Sequence, residues 1–301
     1  MLWLIGCNGM LGSEISRQLK ENNIEFAGTD RDVDFTDPAA TEKFVSDKKI
    51  DYIINCAAYT AVDLAESNED ICRKLNVEGP ANIARLAKKI GAKIIHISTD
   101  YVFDGSGDTP RTEDMPIAPI GVYGVTKAEG EKAISDNTDE YYILRTAWLY
   151  GWAGKNFVYT MIRAMNTHEA VKVVADQKGT PTFATDLAKV ILTVIKKNDV
   201  PYGIYHCTDL GETTWWEFTK EIQKQYVELH KEEIANCELR IANCVINACT
   251  TQEYPTPAKR PAYSVLSKDK IQKTLGITLP DWKDSLREFL VSPLFDKSRI
   301  E

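Results

Sequence analysis

The 301-residue sequence predicts an α/β protein with a doubly wound parallel sheet in its first half and a smaller mixed domain in its second. Two observations support this fold class. Up to about residue 150, short apolar runs alternate with amphipathic stretches, and beyond Tyr150 this rhythm becomes irregular. Apolar strands that alternate with helices of this length are typical of βαβ crossovers, in which helices cover both faces of a parallel sheet.

The elements of the first half are predicted from these runs in chain order. Apolar runs indicate strands at 2–5, 25–27, 52–55, 93–97 and 142–144. Amphipathic stretches between and after them predict helices at 13–21, 38–48, 69–89 and 123–135. Strands and helices that alternate in this way favour a sheet whose connections are helical.

The second half contains fewer regular elements. We predict helices at 156–165, 185–197 and 281–290, a further helix that opens with Trp215-Trp216, and strands at 171–174 and 203–206. The run 203–206 is placed to return to the parallel sheet. We therefore expect a sheet domain of residues 1–148 and about 182–209, and a smaller C-terminal domain of about 149–181 and 210–301.

Composition excludes several classes of protein. A formal charge of −8, with 36 Lys and Arg against 44 Asp and Glu, argues against nucleic-acid binding because the basic residues form no cluster. The longest aliphatic runs are far shorter than a membrane span of about 20 residues, and residues 1–5 lead directly into a glycine motif without the basic segment of a signal peptide. We therefore expect a cytoplasmic protein.

Cysteine usage favours free thiols in a reducing compartment. The chain has seven cysteines, so they cannot all pair within it. The one cluster, Cys237, Cys244 and Cys249, matches no zinc-binding spacing, and the four histidines form no HExxH pair. No structural metal site is predicted from motifs.

A glycine-rich loop, Gly6-Cys7-Asn8-Gly9-Met10-Leu11-Gly12, follows the first strand and opens the first helix. Glycines here let the chain turn tightly and approach a pyrophosphate, while the helix N-terminus attracts the anion. Asp30 closes the second strand about 20 residues later, where a carboxylate can bind adenosine ribose hydroxyls. This context predicts a Rossmann-type dinucleotide site.

The residue after Asp30 leaves the choice between NADH and NADPH open. Asp30 favours the free 2′-hydroxyl of NADH because its charge repels a 2′-phosphate, but the adjacent Arg31 can pair with that phosphate. Arg31 can equally be a solvated surface residue. We expect NADH to be preferred and NADPH tolerated.

Tyr123 and Lys127 lie four residues apart and so share one face of a helix. Carbonyl reduction needs a proton donor for the alkoxide that forms as hydride arrives, and a phenol can supply it. A nearby ammonium favours the phenolate, so Lys127 is expected to lower the pKa of Tyr123 and to hold the nicotinamide ribose. Ser98 and Thr99 end the fourth strand, where ligands of open α/β sheets bind, and a hydroxyl from one of them can orient the carbonyl.

In this order, the glycine loop, the strand-end hydroxyl and the Tyr-x-x-x-Lys pair resemble the extended, nucleotide-sugar-modifying branch of the short-chain dehydrogenase/reductase superfamily. Longer strings narrow the resemblance to the dTDP-4-dehydrorhamnose reductase family. These strings are NCAAYTAVD at 55–63, STDYVFDG at 98–105, PIGVYGVTK at 119–127, RTAWLY at 145–150, DQKGTPT at 176–182 and KRP at 259–261. The resemblance spans nearly the whole chain and implies that the smaller domain binds substrate.

The resemblance implies roles for the residues that match the family's motifs. Thr99, Tyr123 and Lys127 match its catalytic triad. The implied cofactor-binding residues are Gly6, Gly9, Met10, Leu11, Gly12, Asp30, Arg31, Asp34, Phe35, Ala57, Ala58, Tyr59, Thr60, Tyr123 and Lys127. The implied substrate-binding residues are Val62, Thr99, Asp100, Trp148 and Arg260.

Some of these positions have an alternative structural role. Trp148 can equally be a core tryptophan after the fifth strand. Arg260 can hold the nucleotide diphosphate or form an inter-domain ion pair. Asn76 matches a position that is commonly polar in the extended branch. Some family members bind Mg²⁺ through glutamates at a subunit interface, and Glu14 fits one such position, which allows a Mg²⁺ site in a homodimer.

The activity implied by the resemblance is NAD(P)H-dependent reduction of the 4-keto group of dTDP-4-dehydro-β-L-rhamnose to dTDP-β-L-rhamnose. The related 4,6-dehydratases carry Asp-Glu after the strand-end threonine, because elimination needs an acid and a base beside the tyrosine. Here Asp100 is followed by Tyr101, which favours simple reduction. The alternatives are a reductase or epimerase of another nucleotide-4-ketosugar, or a non-catalytic regulatory subunit similar to the β type of methionine adenosyltransferase.

Overall fold

The computed structural model describes residues 1–197, 199–232 and 240–300. In this part of the chain the strands are β1 (Leu2–Ile5), β2 (Phe26–Thr29), β3 (Tyr52–Asn55), β4 (Lys93–Thr99), β5 (Tyr141–Thr146), β6 (Leu149–Tyr150), β7 (Ala170–Val174), β8 (Lys178–Gly179), β9 (Thr182–Phe183), β10 (Gly203–His206), β11 (Thr213–Thr214) and β12 (Val245–Cys249). The helices are α1 (Met10–Glu21), α2 (Pro38–Val45), α3 (Val62–Ala65), α4 (Glu69–Arg73), α5 (Gly79–Ile90), α6 (Val122–Ser135), α7 (Phe157–Thr167), α8 (Ala184–Lys196), α9 (Trp215–Leu229), α10 (Asp269–Leu275) and α11 (Trp282–Val291).

The central sheet has six parallel strands in the order β2-β1-β3-β4-β5-β10. The chain builds outward from β1 in both directions, so the order reverses between β1 and β3. In open α/β sheets, ligands bind beyond the carboxyl ends of the strands at such a reversal. The prediction that residues 203–206 return to the sheet is confirmed, because β10 pairs with β5 along its length.

Helices cover both faces of this sheet, which confirms the predicted doubly wound α/β fold. Side chains of β1 alternate between the faces: Leu2 and Leu4 join a core with α1, α8 and α10, whereas Trp3 and Ile5 join a core with α2 and α5. All four side chains are buried. Because both faces of β1 are covered, its residues are all apolar and do not alternate with polar ones.

The single helix predicted at 69–89 is divided. α4 ends at Arg73, one turn with wider, π-type hydrogen bonding spans Lys74–Glu78, and α5 begins at Gly79. Pro80 lacks the N–H that a continuous α-helix would use, and short π-type turns inside helices occur often at functional sites. The turn holds the buried Asn76 in place.

Residues beyond β5 build a second core that is rich in aromatic side chains. Tyr150, Phe183, Phe218 and Phe289 pack together between α7, α9 and α11. Three short strand pairs frame it, with β6 beside β9, β7 beside β12 and β8 beside β11. Helix α10, which the sequence pattern did not predict, packs instead against the sheet core.

Two further sequence predictions concern cysteines and membranes. Cys237 lies outside the described residues, whereas Cys244 and Cys249 are buried free thiols. Within the described part of the chain, every helix is too short or too polar to cross a membrane.

Candidate active site

A cleft of about 940 Å³ opens at the carboxyl ends of β1 to β5, between the sheet and the aromatic core. Residues from the sequence predictions line much of it. They are Gly6, Gly9, Met10, Leu11, Asp30, Arg31, Asp34, Phe35, Ala57, Ala58, Thr60, Val62, Thr99, Asp100, Tyr123, Lys127 and Trp148. The lining also includes Trp215, which the sequence indicated only as the start of a helix.

The glycine loop at one end of the cleft is tightly packed against its surroundings. Gly6 has φ +77°, and a Cβ on it would lie 2.9 Å from the backbone nitrogen of Ala57. A Cβ on Gly12 would lie 2.0 Å from the carbonyl oxygen of Gly6, so a side chain there would separate α1 from the loop. Gly12 lies beneath the cleft and supports the loop, which brings the N-terminus of α1 to the cleft, where its free N–H groups suit a pyrophosphate.

Asp30 and Arg31 lie side by side at the far end of the cleft from Tyr123. Asp30 is half-buried, its backbone N–H donates to the Asp32 carboxylate at 2.7 Å, and Arg31 is exposed. Asp34 accepts hydrogen bonds from the N–H and hydroxyl of Thr36, which hold its pKa below the usual value. A carboxylate and a guanidinium are thus next to each other in the chain at this end of the cleft.

Thr99 carries a hydroxyl at the end of β4. Its Oγ1 donates to Asp100 Oδ1 at 3.0 Å and accepts from the N–H of Tyr101 at 3.2 Å. The neighbouring Ser98 is already engaged, because its hydroxyl donates at 2.5 Å to Glu131, a buried carboxylate paired with Arg145. Both residues line the cleft, but the Ser98 hydroxyl is held by the Glu131–Arg145 ion pair and the Thr99 hydroxyl is not.

Tyr123 and Lys127 project from adjacent turns of α6, as their spacing predicts. Lys127 is almost fully buried, and its Nζ donates to the carbonyl of Ile97 at 2.6 Å. Burial lowers the pKa of Lys127 to about 8 and raises that of Tyr123, against a smaller opposing effect of the Thr99 hydroxyl. Burial therefore sets the net direction of the Tyr123 pKa, and the expectation that Lys127 lowers this pKa stays a prediction.

Asp100 is a buried carboxylate on the floor of the cleft. Only 2% of the residue is exposed, and its Oδ2 has no hydrogen-bond partner among the described residues. Burial raises the pKa of Asp100 to about 6, although the hydroxyls of Ser264 and Thr99 act in the opposite direction. The side chain can therefore change its protonation state close to neutral pH.

Two tryptophans form one wall of the cleft. The rings of Trp148 and Trp215 stack with centroids 3.6 Å apart and planes 9° from parallel. Trp148 adopts φ +47°, an uncommon conformation for a bulky residue. A Cβ on Gly179 would lie only 2.6 Å from the Trp148 ring, so a glycine is needed beneath it. Trp148 is thus a half-buried residue of the cleft wall rather than a core residue.

Five of the predicted residues lie outside the cleft lining, namely Gly12, Glu14, Tyr59, Asn76 and Arg260. Asn76 is fully buried and clamps the loop after β3, because its side chain accepts from the Tyr59 N–H at 2.8 Å and donates to the Tyr59 carbonyl at 3.2 Å. Arg260 makes a two-point ion pair with Asp63, at 2.8 and 3.1 Å. It therefore joins α3 to the segment 255–261.

The Mg²⁺ site allowed by the sequence is not supported. Glu14 lies beside a separate pocket of about 300 Å³, and its carboxylate accepts from Arg17 at 2.6 and 3.0 Å and from Gln18 at 2.7 Å. These bonds neutralise the charge that a cation would need. Within the described residues there is no group of three or more metal-ligating side chains.

The similarity of this chain to known proteins extends over almost its whole length. A family model described as "RmlD substrate binding domain" matches residues 1–293. A dTDP-4-dehydrorhamnose reductase of Escherichia coli K12 is 39% identical over 99% of each chain. A probable dTDP-4,6-dihydroxy-2-methyloxan-3-one 4-ketoreductase of Streptomyces antibioticus is 40% identical over 96% of this chain and 94% of its own.

Solved structures of dTDP-4-dehydrorhamnose reductases are also similar to this chain. A dTDP-4-dehydrorhamnose reductase of Clostridium acetobutylicum superposes with a TM-score of 0.88 at 44% identity, covering 96% of this chain and 98% of its own. A dTDP-4-dehydrorhamnose reductase of Bacillus anthracis, solved in complex with NADP, has a TM-score of 0.87 at 34% identity with the same coverage.

Proposed function

The chain belongs to the RmlD substrate binding domain family, and we propose that it uses NAD(P)H to reduce the 4-keto group of dTDP-4-dehydro-β-L-rhamnose to dTDP-β-L-rhamnose. It is an oxidoreductase that acts on a nucleotide sugar. The observation that carries the proposal is the meeting of Thr99, Tyr123 and Lys127 in one cleft with the glycine loop. Full-length similarity to reductases that carry this name supports the choice of substrate.

NAD(P)H, when bound, supplies the hydride that reaches the 4-keto carbon. Tyr123 gives its phenolic proton to the oxygen as charge develops there, because its raised pKa keeps it protonated until then. The Thr99 hydroxyl orients the carbonyl, and Lys127 holds the nicotinamide ribose. The polar groups are held in place by β4 and α6 before substrate arrives, so they need little rearrangement during the reaction.

The glycine loop and the end of β2 bind the rest of the cofactor. The N-terminus of α1, with Met10 and Leu11, receives the pyrophosphate, and Asp30 binds the adenosine ribose. Asp34 and Phe35 lie near the adenine, and the loop 57–60 covers the cofactor after β3. Because exposed Arg31 can turn toward a 2′-phosphate, both NADH and NADPH are accepted, with NADH preferred.

The sugar lies between Asp100, Val62 and the tryptophan wall. Asp100 offers a carboxyl group with a free oxygen, and Trp148 backed by Trp215 gives a flat apolar surface for a deoxysugar ring. Arg260 supports this region through its ion pair with Asp63, because most of its donors already bond to protein groups.

Removal of one oxygen atom tests the proposal. The Tyr123→Phe variant keeps the ring and loses only the proton donor, so reductase turnover should fall by about 10²- to 10⁴-fold. The measurement is loss of reduced-nicotinamide absorbance with enzymatically generated dTDP-4-dehydro-L-rhamnose, for NADH and NADPH in parallel. Stoichiometric consumption of the reduced cofactor also excludes an epimerase, which retains its cofactor.

A second candidate is reduction of another dTDP-4-ketosugar. The Streptomyces antibioticus relative is named for a different ketosugar at nearly the same identity as the Escherichia coli reductase. Folded wild-type protein that oxidises neither cofactor with the rhamnose precursor would favour this candidate, and other dTDP-4-ketosugars would then be tested in the same assay. Absence of turnover with all of them would instead favour the regulatory-subunit alternative.

A further inference from the structure

Glu131 is a buried carboxylate one helical turn after Lys127, and it has no part in the functions described above. Only 4% of the residue is exposed, and it shares the side of α6 that carries Lys127, four positions earlier. Lys127 Nζ donates to the carbonyl of Ile97 at 2.6 Å. Glu131 Oε1 accepts from the hydroxyl of Ser98, the next residue of β4, at 2.5 Å. The amine and the carboxylate thus contact neighbouring residues of one strand.

The partners of Glu131 show that it carries a negative charge. Its Oε1 also accepts from Arg145 Nε at 2.9 Å, and its Oε2 accepts from Arg145 Nη2 at 2.7 Å. A guanidinium has no acceptor and keeps its protons in proteins, so both carboxylate oxygens face donors. The carboxylate is therefore ionised whatever the charge state of Lys127.

Arg145 does not cancel this charge at Lys127, because it lies on the far side of the carboxylate. Arg145 belongs to β5, which pairs with β4 on one side and with β10 on the other. Its guanidinium extends toward β10, where Nη1 lies 3.4 Å from His206 Nε2. Across the sheet, the amine thus lies over β4, the carboxylate follows, and the guanidinium lies toward β10. The negative charge is the one nearer to Lys127.

The other titratable groups around the amine are uncharged at neutral pH. His96 Nε2 lies 3.3 Å from the amine, and burial lowers the pKa of His96 well below its ordinary value. Cys56, just after β3, and Cys72 of α4 face the amine, and burial raises the pKa of both thiols. Burial also keeps Tyr123 protonated. Among the described groups that face the amine, Glu131 is therefore the negatively charged one.

We propose that Glu131 is a positioning residue whose negative charge keeps the buried Lys127 in its ammonium form at neutral pH. Burial by itself favours the uncharged amine, whereas a nearby carboxylate favours the ammonium. The pKa of Lys127 is about 8, with burial acting to lower it and Glu131 acting to raise it, so most of the amine is charged at neutral pH. Ser98 and Arg145 hold the carboxylate in place through their hydrogen bonds.

This charge matters for the reaction, a consequence that rests on the proposed function. An ammonium has three donors, so with one hydrogen on the Ile97 carbonyl Lys127 still offers donors to the nicotinamide ribose. Its positive charge also stabilises the negative charge that develops on Tyr123 as the proton leaves. An uncharged amine would lack that second effect.

The charge on Lys127 can be measured without cofactor or substrate. Lysine labelled with ¹³C at Cε is incorporated into the full chain, and the Cε chemical shifts are followed through a pH titration. The signal missing in Lys127→Met assigns the residue. We expect a midpoint near 8 in the wild type. In Glu131→Gln, which keeps the size and loses the charge, the midpoint should be lower by about one pH unit or more.

A double variant separates the effect of the carboxylate from that of its partner. Glu131→Gln alone leaves the charge of Arg145 without a counter-ion, whereas Glu131→Gln/Arg145→Met removes both charges, so no uncompensated buried charge remains. We expect the midpoint to fall in the double variant as well, because the carboxylate is the nearer charge. The matched control is Glu129→Gln. Glu129 lies on the same helix and pairs with Arg73, but its side chain is 39% exposed, and its loss should leave the midpoint in place.

Activity provides a second readout. The ammonium is present below the pKa of Lys127 and is lost as pH rises through it, so its loss should produce the alkaline limb in the pH profile of kcat/KM for NAD(P)H. In Glu131→Gln this limb should move to lower pH by the same amount as the midpoint in the spectra, and in Glu129→Gln it should stay. A purely structural defect would lower the rate at every pH without moving the limb.

A wild-type midpoint below neutral pH overturns the inference, and this measurement needs no variant to fold. A folded Glu131→Gln or double variant that titrates at the wild-type midpoint also overturns it, because the ion pair would then act on Lys127 as a neutral unit. A lack of turnover with dTDP-4-dehydro-L-rhamnose counts against the proposed function alone, since the spectra involve no substrate.

Discussion

Asp100 is a residue near the reaction site whose charge state changes with pH just below neutrality. Its pKa of about 6 lies above the ordinary value of 3.8, so the folded protein binds this proton more tightly than the unfolded chain does. Stability from the protonated form is present below the ordinary pKa and is lost as pH rises through about 6. The ionised carboxylate thus destabilises the protein at neutral pH, by about 3 kcal/mol for a shift of this size.

The Asp100→Asn variant should remove this penalty, since an amide stays neutral and retains an acceptor for Thr99. Relative to wild type, its free energy of unfolding should rise between about pH 4 and 6 and stay level above. Urea unfolding of both proteins at several pH values measures the difference. A constant difference across this range would show that Asp100 does not titrate there.

Gly179 affects the sugar-binding part of the cleft because it leaves room for the Trp148 ring. In Gly179→Ala the new Cβ would lie 2.6 Å from Trp148, so the indole must shift away from its stacked position on Trp215. We expect KM for the sugar nucleotide to rise by roughly tenfold, since misplacement of a positioning group by a fraction of an ångström reduces productive binding. KM for NAD(P)H in the same variant is the control, and an equal rise in both would contradict a role specific to the sugar.

At the scale of elements, the π-type turn that divides the helical stretch 69–90 places the side chain of Asn76 against the backbone of Tyr59. The π-type turn directs Asn76 at both the N–H and the carbonyl of Tyr59, and also at Thr126 on α6. The loop after β3 is thus fixed to two helices. Since this loop borders the cleft, the irregular turn links helix packing to cofactor binding.

Asn76→Ala would leave the backbone groups of Tyr59 without these partners. Unfulfilled buried donors and acceptors cost about 1–3 kcal/mol, so we expect a loss of stability of that size and a higher KM for NAD(P)H. Asn68→Ala is the control: it changes a partly exposed asparagine just before α4 whose amide bonds only to the neighbouring Leu64 and Ser67, and should alter stability by less than about 0.5 kcal/mol. Equal effects of the two substitutions would contradict the clamp.

At the scale of the whole molecule, the cleft lies between two cores, and the Asp63–Arg260 pair joins α3 to the last part of the chain. Both side chains are partly exposed, at 38% and 22%, so the pair contributes less than about 1 kcal/mol to stability. We expect the pair to act instead by holding the entrance of the cleft in its shape. Loss of either Asp63 or Arg260 should therefore disturb substrate binding to the same extent.

Asp63→Ala and Arg260→Ala should therefore raise KM for the sugar nucleotide by similar factors, within about threefold of each other, and added salt should reduce the difference from wild type. Steady-state kinetics of the two variants and the double variant provide the test. A rise of tenfold or more in Arg260→Ala alone would instead assign the guanidinium to the nucleotide diphosphate.

Patterns within short stretches of sequence predicted most of the sheet and much of the site. Apolar runs gave β1, β3, β4 and β10 within a few residues, because buried parallel strands must be apolar on both faces. The loop at 6–12 and the four-residue spacing of Tyr123 and Lys127 predicted local geometry that depends on few neighbours. The divided helix at 69–90 was not predicted, since the turn depends on contacts with a loop that is distant in sequence.

The sequence by itself determined the doubly wound α/β fold, the dinucleotide loop and the residues that meet at the strand ends, because each follows from local periodicity or backbone freedom. Only the tertiary structure decided the stacking of Trp215 on Trp148, the pairing of Arg260 with Asp63 and the contact of His96 with Lys127. It also decided how deeply Tyr123 is buried, which raises the pKa of its hydroxyl. Charge states depend on burial and on partners far apart in the chain, and these exist only once the sheet and the second core have come together.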